Sequence, residues 1–217
     1  MDQKSIFLGG EGDNYFARRT RTTYRSDVDP VVDMIVESGR SPGRTLEVGC
    51  SDSFRLGELR KRFGGVYHGV DPSPQAIASG LEMFPEFDLR VGSADALPWP
   101  DASFDTLVFG FCLSLCDRND LFVIAAEADR VLADGGAVVI HDFHPPYPYR
   151  NRYAHTEGVF SYKLDYARLF LWNPAYHLVK MSLVSLEHVR RLEHGDDMTS
   201  VQLLIKDMNG AYPDRHR

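Results

Sequence analysis

The segment TLEVGCSDSFRLGELRKRF puts a turn of small residues directly between an apolar strand-like run and an amphipathic helical one. Open parallel sheets hold adenosine-bearing ligands at such a turn, and Gly49 allows the backbone to approach a ligand closely. Asp71 ends the run VYHGVD, twenty-two residues beyond Gly49, where a carboxylate can accept both hydroxyl hydrogens of a ribose. That spacing alone suits a nicotinamide dinucleotide as well as S-adenosylmethionine (SAM). Glu47 lies inside the apolar run, and an acid buried in a strand is costly unless a partner or a ligand solvates it. Further along, IHDFHPPYPY sets His141, Asp142 and His144 at a strand end, where a general base would serve a hydroxyl acceptor. His144 is the first choice for that base and His141 the second. The plainer reading is structural: Gly49 and Gly69 make turns, Asp71 caps a helix through Pro72, Asp95 caps a loop, and both histidines are hydrogen-bonded loop-edge groups. His141, Asp142 and His144 match no strong metal-binding spacing, so no metal is expected.

These groups need a scaffold, and the chain alternates short strand-like runs with longer helical ones. A helix is predicted over Pro30–Ser38, capped by Asp29 or Asp27, with Val31, Val32, Ile35 and Val36 as its apolar stripe and Gly39 as its stop. A strand at Arg44–Val48, a helix at Phe54–Phe63, a strand at Val66–Val70, a helix from Ser73–Pro74 toward Phe84 and a strand at Asp88–Val91 follow. Thr106–Leu113 reads as a buried strand. Asn119 or Asp120 caps a helix through Leu132, Gly135–Gly136 stops it, and Ala137–His141 is a further strand. Such alternation implies a parallel sheet covered on both faces. Beyond Phe143 the prolines and aromatics show no clean period, which predicts a loop and partial lid. Two last strands, Leu178–Leu186 and Thr199–Ile205 around a polar turn at His194–Asp197, should add an antiparallel edge, and the residues after Asn209 should fray.

LEVGCSDS, GVDPSPQAI, VGSADALPWPDASFDTLVFGFCLSL and EADRVLADGGAVVIHDF stand in the order seen in class I SAM-dependent methyltransferases. From Thr45 to Asp142 the chain resembles the type 11 methyltransferase domain of that family. The resemblance implies an α/β, Rossmann-like fold: a mostly parallel seven-stranded sheet with helices on both faces and an antiparallel C-terminal edge. It further implies SAM as cofactor, with Glu47, Gly49 and Ser51 in the first motif and Asp71 with Pro72 at the ribose. Ala94, Asp95 and Ala96 would lie along the adenine, Phe109, Gly110 and Phe111 would flank the methionine part, and Tyr15 in the leading segment would close the donor site. The first motif departs from the family, which often has three spaced glycines where this chain has Gly49, Ser51 and Ser53. Serine costs energy wherever φ must be positive. The glycine that gives dinucleotide enzymes close helix–strand packing is absent too, which disfavours the nicotinamide reading.

With 217 residues, the chain is expected to be one domain over 1–217: a cap segment 1–28, a SAM-binding core 29–143, an acceptor loop and lid 144–177, and C-terminal strands 178–209. No export signal or apolar run of membrane-spanning length is seen, and three cysteines without a C-x-x-C pair fit a reducing, cytoplasmic setting. A formal net charge of −7 disfavours nucleic acid as a partner. Arg18, Arg19, Arg21 and Arg25, interleaved with Tyr15, Phe16 and Tyr24, form the main basic cluster and are held as a site element or a solvated helix face. The expected partner is a small-molecule acceptor, perceived by Arg150 or Arg152 if it carries a carboxylate or phosphate, and the expected state is a monomer or homodimer. The acceptor atom is read as an oxygen of a metabolite, sugar or glycan precursor. The alternatives are a protein or RNA methyltransferase, or a non-catalytic module that senses SAM.

Overall fold

The computed structural model describes residues 2–21, 29–185 and 198–214. Seven strands form one sheet: β1 (Arg44–Val48), β2 (Val66–Asp71), β3 (Asp88–Val91), β4 (Phe104–Gly110), β5 (Leu132–Phe143), β8 (Tyr176–Ser185) and β9 (Met198–Lys206). Their order is β3-β2-β1-β4-β5-β9-β8, parallel from β3 to β5, with β9 and β8 antiparallel at the edge. The expected sheet is therefore present. The chain steps outward from β1 to β3 and then returns to the other side of β1 with β4, which leaves a crevice at the carboxyl ends of β1 and β4.

Period-two alternation divides the core. Leu46, Leu107, Phe109, Val138 and Ile140 pack on one face against α6 (Leu121–Val131) and α7 (Arg168–Leu171). Val108, Ala137 and Val139 pack on the other against α3 (Pro30–Ser38) and α4 (Phe54–Phe63), with Ile77 of α5 (Pro74–Met83) alongside. Each of the larger of these side chains contributes roughly 1.5–3 kcal/mol on burial. Asp29 caps α3 as expected, accepting from the Val31 and Val32 amides at 2.9 and 3.3 Å. Ser73 caps α5 through the Ala76 amide.

Several boundaries differ from the expectation. β4 stops at Gly110, because Phe111 turns to φ 65°, and Leu113 lies in a 3-10 turn rather than the strand. Asp120 precedes α6 without a side-chain cap bond; its carboxylate instead faces Lys4 at 3.3 Å. Gly135–Gly136 do not stop that helix: Leu132 is already extended, and the glycines ride in β5 beside a register shift against β4. The segment expected to be a loop and lid contains a hairpin, β6 (Tyr149–Arg152) with β7 (Phe160–Lys163). Short alternating aromatics and basic residues formed it without a turn signature that stands out in sequence. The polar turn at His194–Asp197 lies outside the described residues.

The leading segment folds as α1 (Gln3–Ile6), a π-turn over Phe7–Glu11 and α2 (Gly12–Arg21). It seats itself on the end of β2. A side chain at Gly12 would meet Phe7 O at 3.0 Å and the Pro72–Ser73 backbone at 3.2 Å, so only glycine lets the two approach. Asp13 Oδ1 accepts from Ser73 Oγ at 2.5 Å and from the Gln75 amide at 3.1 Å. Asp117 accepts from the Gln3 and Lys4 amides at the start of α1.

Candidate active site

A cavity of about 760 Å³ lies between the carboxyl edge of the parallel strands and the leading segment. Its floor is the turn after β1. Gly49 holds φ 74°, and a Cβ there would meet that of Cys112 at 2.6 Å, so packing within the chain demands glycine here. Ser51 and Ser53 hold φ 50° and 61° where glycine would be relaxed. Left-handed backbone costs each of them roughly 1–2 kcal/mol.

Part of that strain is offset at Asp71. Its Oδ2 accepts from the Ser51 amide at 2.8 Å and its Oδ1 from the Ser73 amide at 2.9 Å. A carboxylate offers about four lone-pair sites, which leaves one on each oxygen for a vicinal diol. Burial pushes the Asp71 carboxyl up, while the Ser73 and Ser51 amides pull it down. Asp71, Pro72, Gly49 and Ser51 all line the cavity. Ala94 and Asp95 line it as well; Asp95 accepts from Ser93 Oγ and pairs with Lys4 Nζ, each at 2.6 Å. Ala96 does not: it is exposed, outside the lining.

Glu47 is not in the lining either. It is buried behind Gly110 and engaged by Arg55, whose Nη1 donates to Glu47 Oε1 and whose Nε donates to Asp29 Oδ2 at 2.8 Å. Burial pushes the Glu47 carboxyl up to about 7 against the pull of Arg55. Among the described residues its Oε2 has no hydrogen-bond partner. Arg55 itself reaches the cavity wall. The acid in this strand is thus solvated within the chain by an arginine eight positions on.

Gly110 and Phe111 line the cavity, but Phe109 does not, because alternation turns its ring into the opposite core against Phe170. Phe111 is a bulky residue at positive φ, a conformation that costs of order 1–3 kcal/mol and persists where surroundings enforce it. Its amide donates to His141 O at 2.8 Å, and its ring stands edge-on to the His141 ring at 5.1 Å.

Register settles the histidines. β5 continues to Phe143, and His141, paired with Gly110, faces the cavity, whereas Asp142 points to the other side and accepts from the Ser114 and Phe143 amides. His141 is 4% exposed, and neither ring nitrogen has a partner among the described residues. Burial, helped by the Arg55 charge, lowers its pKa to about 4, so the ring is neutral. His144 lies past the strand end, outside the lining: its amide donates to Met198 O, and its Nδ1 lies 3.5 Å from Gln202 Nε2 and 3.8 Å from Asp165. The preferred base therefore stands away from the cavity and the second choice stands in it.

Tyr15 faces the cavity from α2 together with Phe16, Arg18 and Arg19. Arg150 and Arg152 are exposed and outside its lining; the Arg150 guanidinium lies over the Phe160 ring at 4.3 Å. Tyr24 and Arg25 of the basic cluster lie outside the described residues. Lys4, Arg55, Cys112 and Tyr153 were not foreseen as cavity residues. The pair of acids around a glycine in GEGD was the available hint that this segment docks on other backbone.

Residues 46–140 match the family model of a methyltransferase domain. The chain is 29% identical over 109 residues to ajmaline N-methyltransferase of Rauvolfia serpentina, covering 46% of this chain and 36% of that protein. It is 36% identical over 129 residues to demethylmenaquinone methyltransferase of Thermus thermophilus, covering 53% of each. The chain thus spans about half or less of the length of these curated relatives. In fold it is similar to the 1,6-didemethyltoxoflavin-N1-methyltransferase of Burkholderia thailandensis, solved with bound 1,6-didemethyltoxoflavin and S-adenosylhomocysteine. That match has a TM-score of 0.70 at 19% identity and covers 94% of this chain and 87% of the other.

Proposed function

We propose that the protein transfers a methyl group from SAM to a small-molecule acceptor, a reading supported by the match of residues 46–140 to the model of a methyltransferase domain. The observation that carries this reading is one cavity that joins a two-acceptor carboxylate, Asp71, to a buried neutral imidazole, His141, with both nitrogens unclaimed among the described residues. Bound there, SAM supplies a methyl group already made electrophilic by the sulfonium.

The chain's part is then to bind, align and keep water out. Asp71 takes the ribose hydroxyls on its two free lone-pair sites, while Ala94 and the Ser93–Asp95 turn face the adenine. Phe111 and Tyr15 wall the space where donor and acceptor meet. His141 accepts the proton of an acceptor hydroxyl; because its pKa is near 4, it is ready as a base throughout the neutral range, though a weak one. An oxygen acceptor on a metabolite, sugar or glycan precursor suits that arrangement. The names of the relatives, which point to an alkaloid, a quinone precursor and a toxoflavin precursor, favour a small molecule over a protein or RNA.

Calorimetric titration of SAM and of NAD into the wild type and Asp71→Ala tests the reading. SAM should bind, NAD should not, and the variant should lose at least about tenfold in SAM affinity, as expected for a lost pair of charge-assisted hydrogen bonds. Wild-type protein that binds NAD and not SAM would overturn it. Release of S-adenosylhomocysteine with a mixed metabolite pool then separates an enzyme from a module that only senses its ligand.

A further inference from the structure

We propose that Asp13 of the leading segment is a positioning residue for the methyl donor: through Ser73 it holds the turn that sets Asp71 to receive the ribose hydroxyls. This rests on the donor reading above. The last torsion of an aspartate is broad, so the plane of the Asp71 carboxylate is set by the bonds its oxygens accept. Those bonds come from the Ser51 amide to Oδ2 at 2.8 Å and from the Ser73 amide to Oδ1 at 2.9 Å. A vicinal diol presents its two hydroxyls at a fixed spacing, so a swing of either amide carries the free lone-pair sites of Asp71 away from them.

The two amides are supported differently. Ser51 follows directly on the floor turn, which is tied to β2 where the Gly49 and Cys50 amides donate to Val70 O at 2.8 and 3.2 Å. Ser73 follows Pro72, which has no N–H to contribute, and it opens α5 in an extended conformation with φ −90° and ψ 110°. Its Oγ accepts from the Ala76 amide at 3.0 Å and donates to Asp13 Oδ1 at 2.5 Å. The same Asp13 oxygen accepts from the Gln75 amide at 3.1 Å, a donor that the first turn of a helix leaves without an intrahelical partner. Asp13 therefore grips the start of α5 at two points, from 60 and 62 positions away.

Close seating fixes Asp13 in turn. A Cβ on its neighbour Gly12 would meet the Ser73 nitrogen at 3.2 Å, and that nitrogen is the one that donates to Asp71. Ser73 is only 1% exposed, so water does not readily replace Asp13 as acceptor for its hydroxyl. A different role for Asp13 would be to fasten the leading segment as a cover over the cavity. The two roles differ in where they act. A cover acts on whatever lies beneath it, whereas a hold on the Ser73 amide acts on the group that this amide orients, Asp71.

The test is a double-mutant cycle on the affinity of the full chain for S-adenosylhomocysteine, measured by calorimetry. With Asp71 intact, Asp13→Ala should weaken binding by roughly threefold to tenfold, the coupling expected within one hydrogen-bond network. In the Asp71→Ala background the same change should cost less than about twofold. Asp13→Asn keeps an acceptor oxygen for Ser73 and Gln75 and should bind within about twofold of wild type. A loss that persists in full in the Asp71→Ala background identifies a cover and overturns the proposal. So does Asp13→Ala protein that binds like wild type, or Asp13→Asn protein that binds as poorly as Asp13→Ala. Should Asp13→Ala fail to fold, Ser73→Ala removes the same hydrogen bond from its other side, and an equal loss in both Asp71 backgrounds overturns the proposal in the same way. Wild-type protein that does not bind S-adenosylhomocysteine refutes the donor reading, and the role of Asp13 falls with it.

Discussion

Replacing Gly110 by alanine puts one methyl group over the buried ion group of Arg55, Glu47 and Asp29. Built on the observed backbone, that methyl lies 2.7 Å from Glu47 Oε1 and closer still to the Arg55 guanidinium. The guanidinium cannot step aside freely, because Asp29 and Glu47 hold it and its side chain is only 12% exposed. Overpacking of a core costs about 1–3 kcal/mol, and full rupture of a buried ion pair about 3–5 kcal/mol; partial displacement places Gly110→Ala at about 2–4 kcal/mol. With a urea dependence of about 2 kcal/mol per molar, the midpoint should fall by about 1–2 M in equilibrium unfolding followed by circular dichroism. Arg55→Ala supplies the control, since it empties the space the methyl needs. In that background Gly110→Ala should cost less than about 1 kcal/mol, a coupling of the size seen between residues in contact. Gly110→Ala within about 0.5 kcal/mol of wild type, or a full cost that persists without Arg55, would refute the reasoning.

Two further outcomes follow from the same geometry. An unfolded histidine takes up its proton near pH 6.5, whereas folded His141 resists until about pH 4, so its contribution to stability is present above pH 6.5 and is lost as pH falls toward 4. His141→Gln should remove that acid slope, by up to about 3 kcal/mol, in unfolding curves taken between pH 4 and 7; an unchanged slope would count against the burial argument. Ser53 starts α4 at φ 61° with no side-chain cap bond, so Ser53→Gly should relieve backbone strain and stabilise by about 0.5–1 kcal/mol after the entropy of glycine is subtracted. Thermal melting checks it, and a fall in the midpoint would show that Ser53 is not strained.

The parallel sheet was readable because its central strands β1 and β4 are buried on both faces and its helices carry punctuation: Asp29 before Pro30 and Ser73 before Pro74 both became caps. Asp71 was readable for the same reason, since spacing along a strand–turn–helix unit fixes where a residue emerges. What failed was whatever depends on the last residue of a strand. Extending β5 by two residues past His141 was enough to carry His144 off the cavity, because a strand advances over 3 Å per residue and alternates faces. Phe109 was assigned a place beside its neighbours Gly110 and Phe111, yet alternation sends it to the other core. Arg55 and Glu11 each have one partner nearby, Glu47 and Arg18 at eight and seven positions, but the contacts to Asp29 and Thr156 that complete their settings lie 26 and 145 positions away, and no local pattern encodes those.

Several of the bonds that attach the leading segment to the sheet are polar. Gln3 to Leu115 and Phe160, Lys4 to Asp95 and Asp13 to Ser73 are bonds that water can replace one at a time, and Gly10, at φ 131°, interrupts the run between α1 and α2. A layer held in this way detaches far more cheaply than the sheet beneath it unfolds. A ligand lying between this layer and the sheet would be released more readily as the layer loosens, and salt would weaken the partly exposed Lys4–Asp95 pair that helps to hold it.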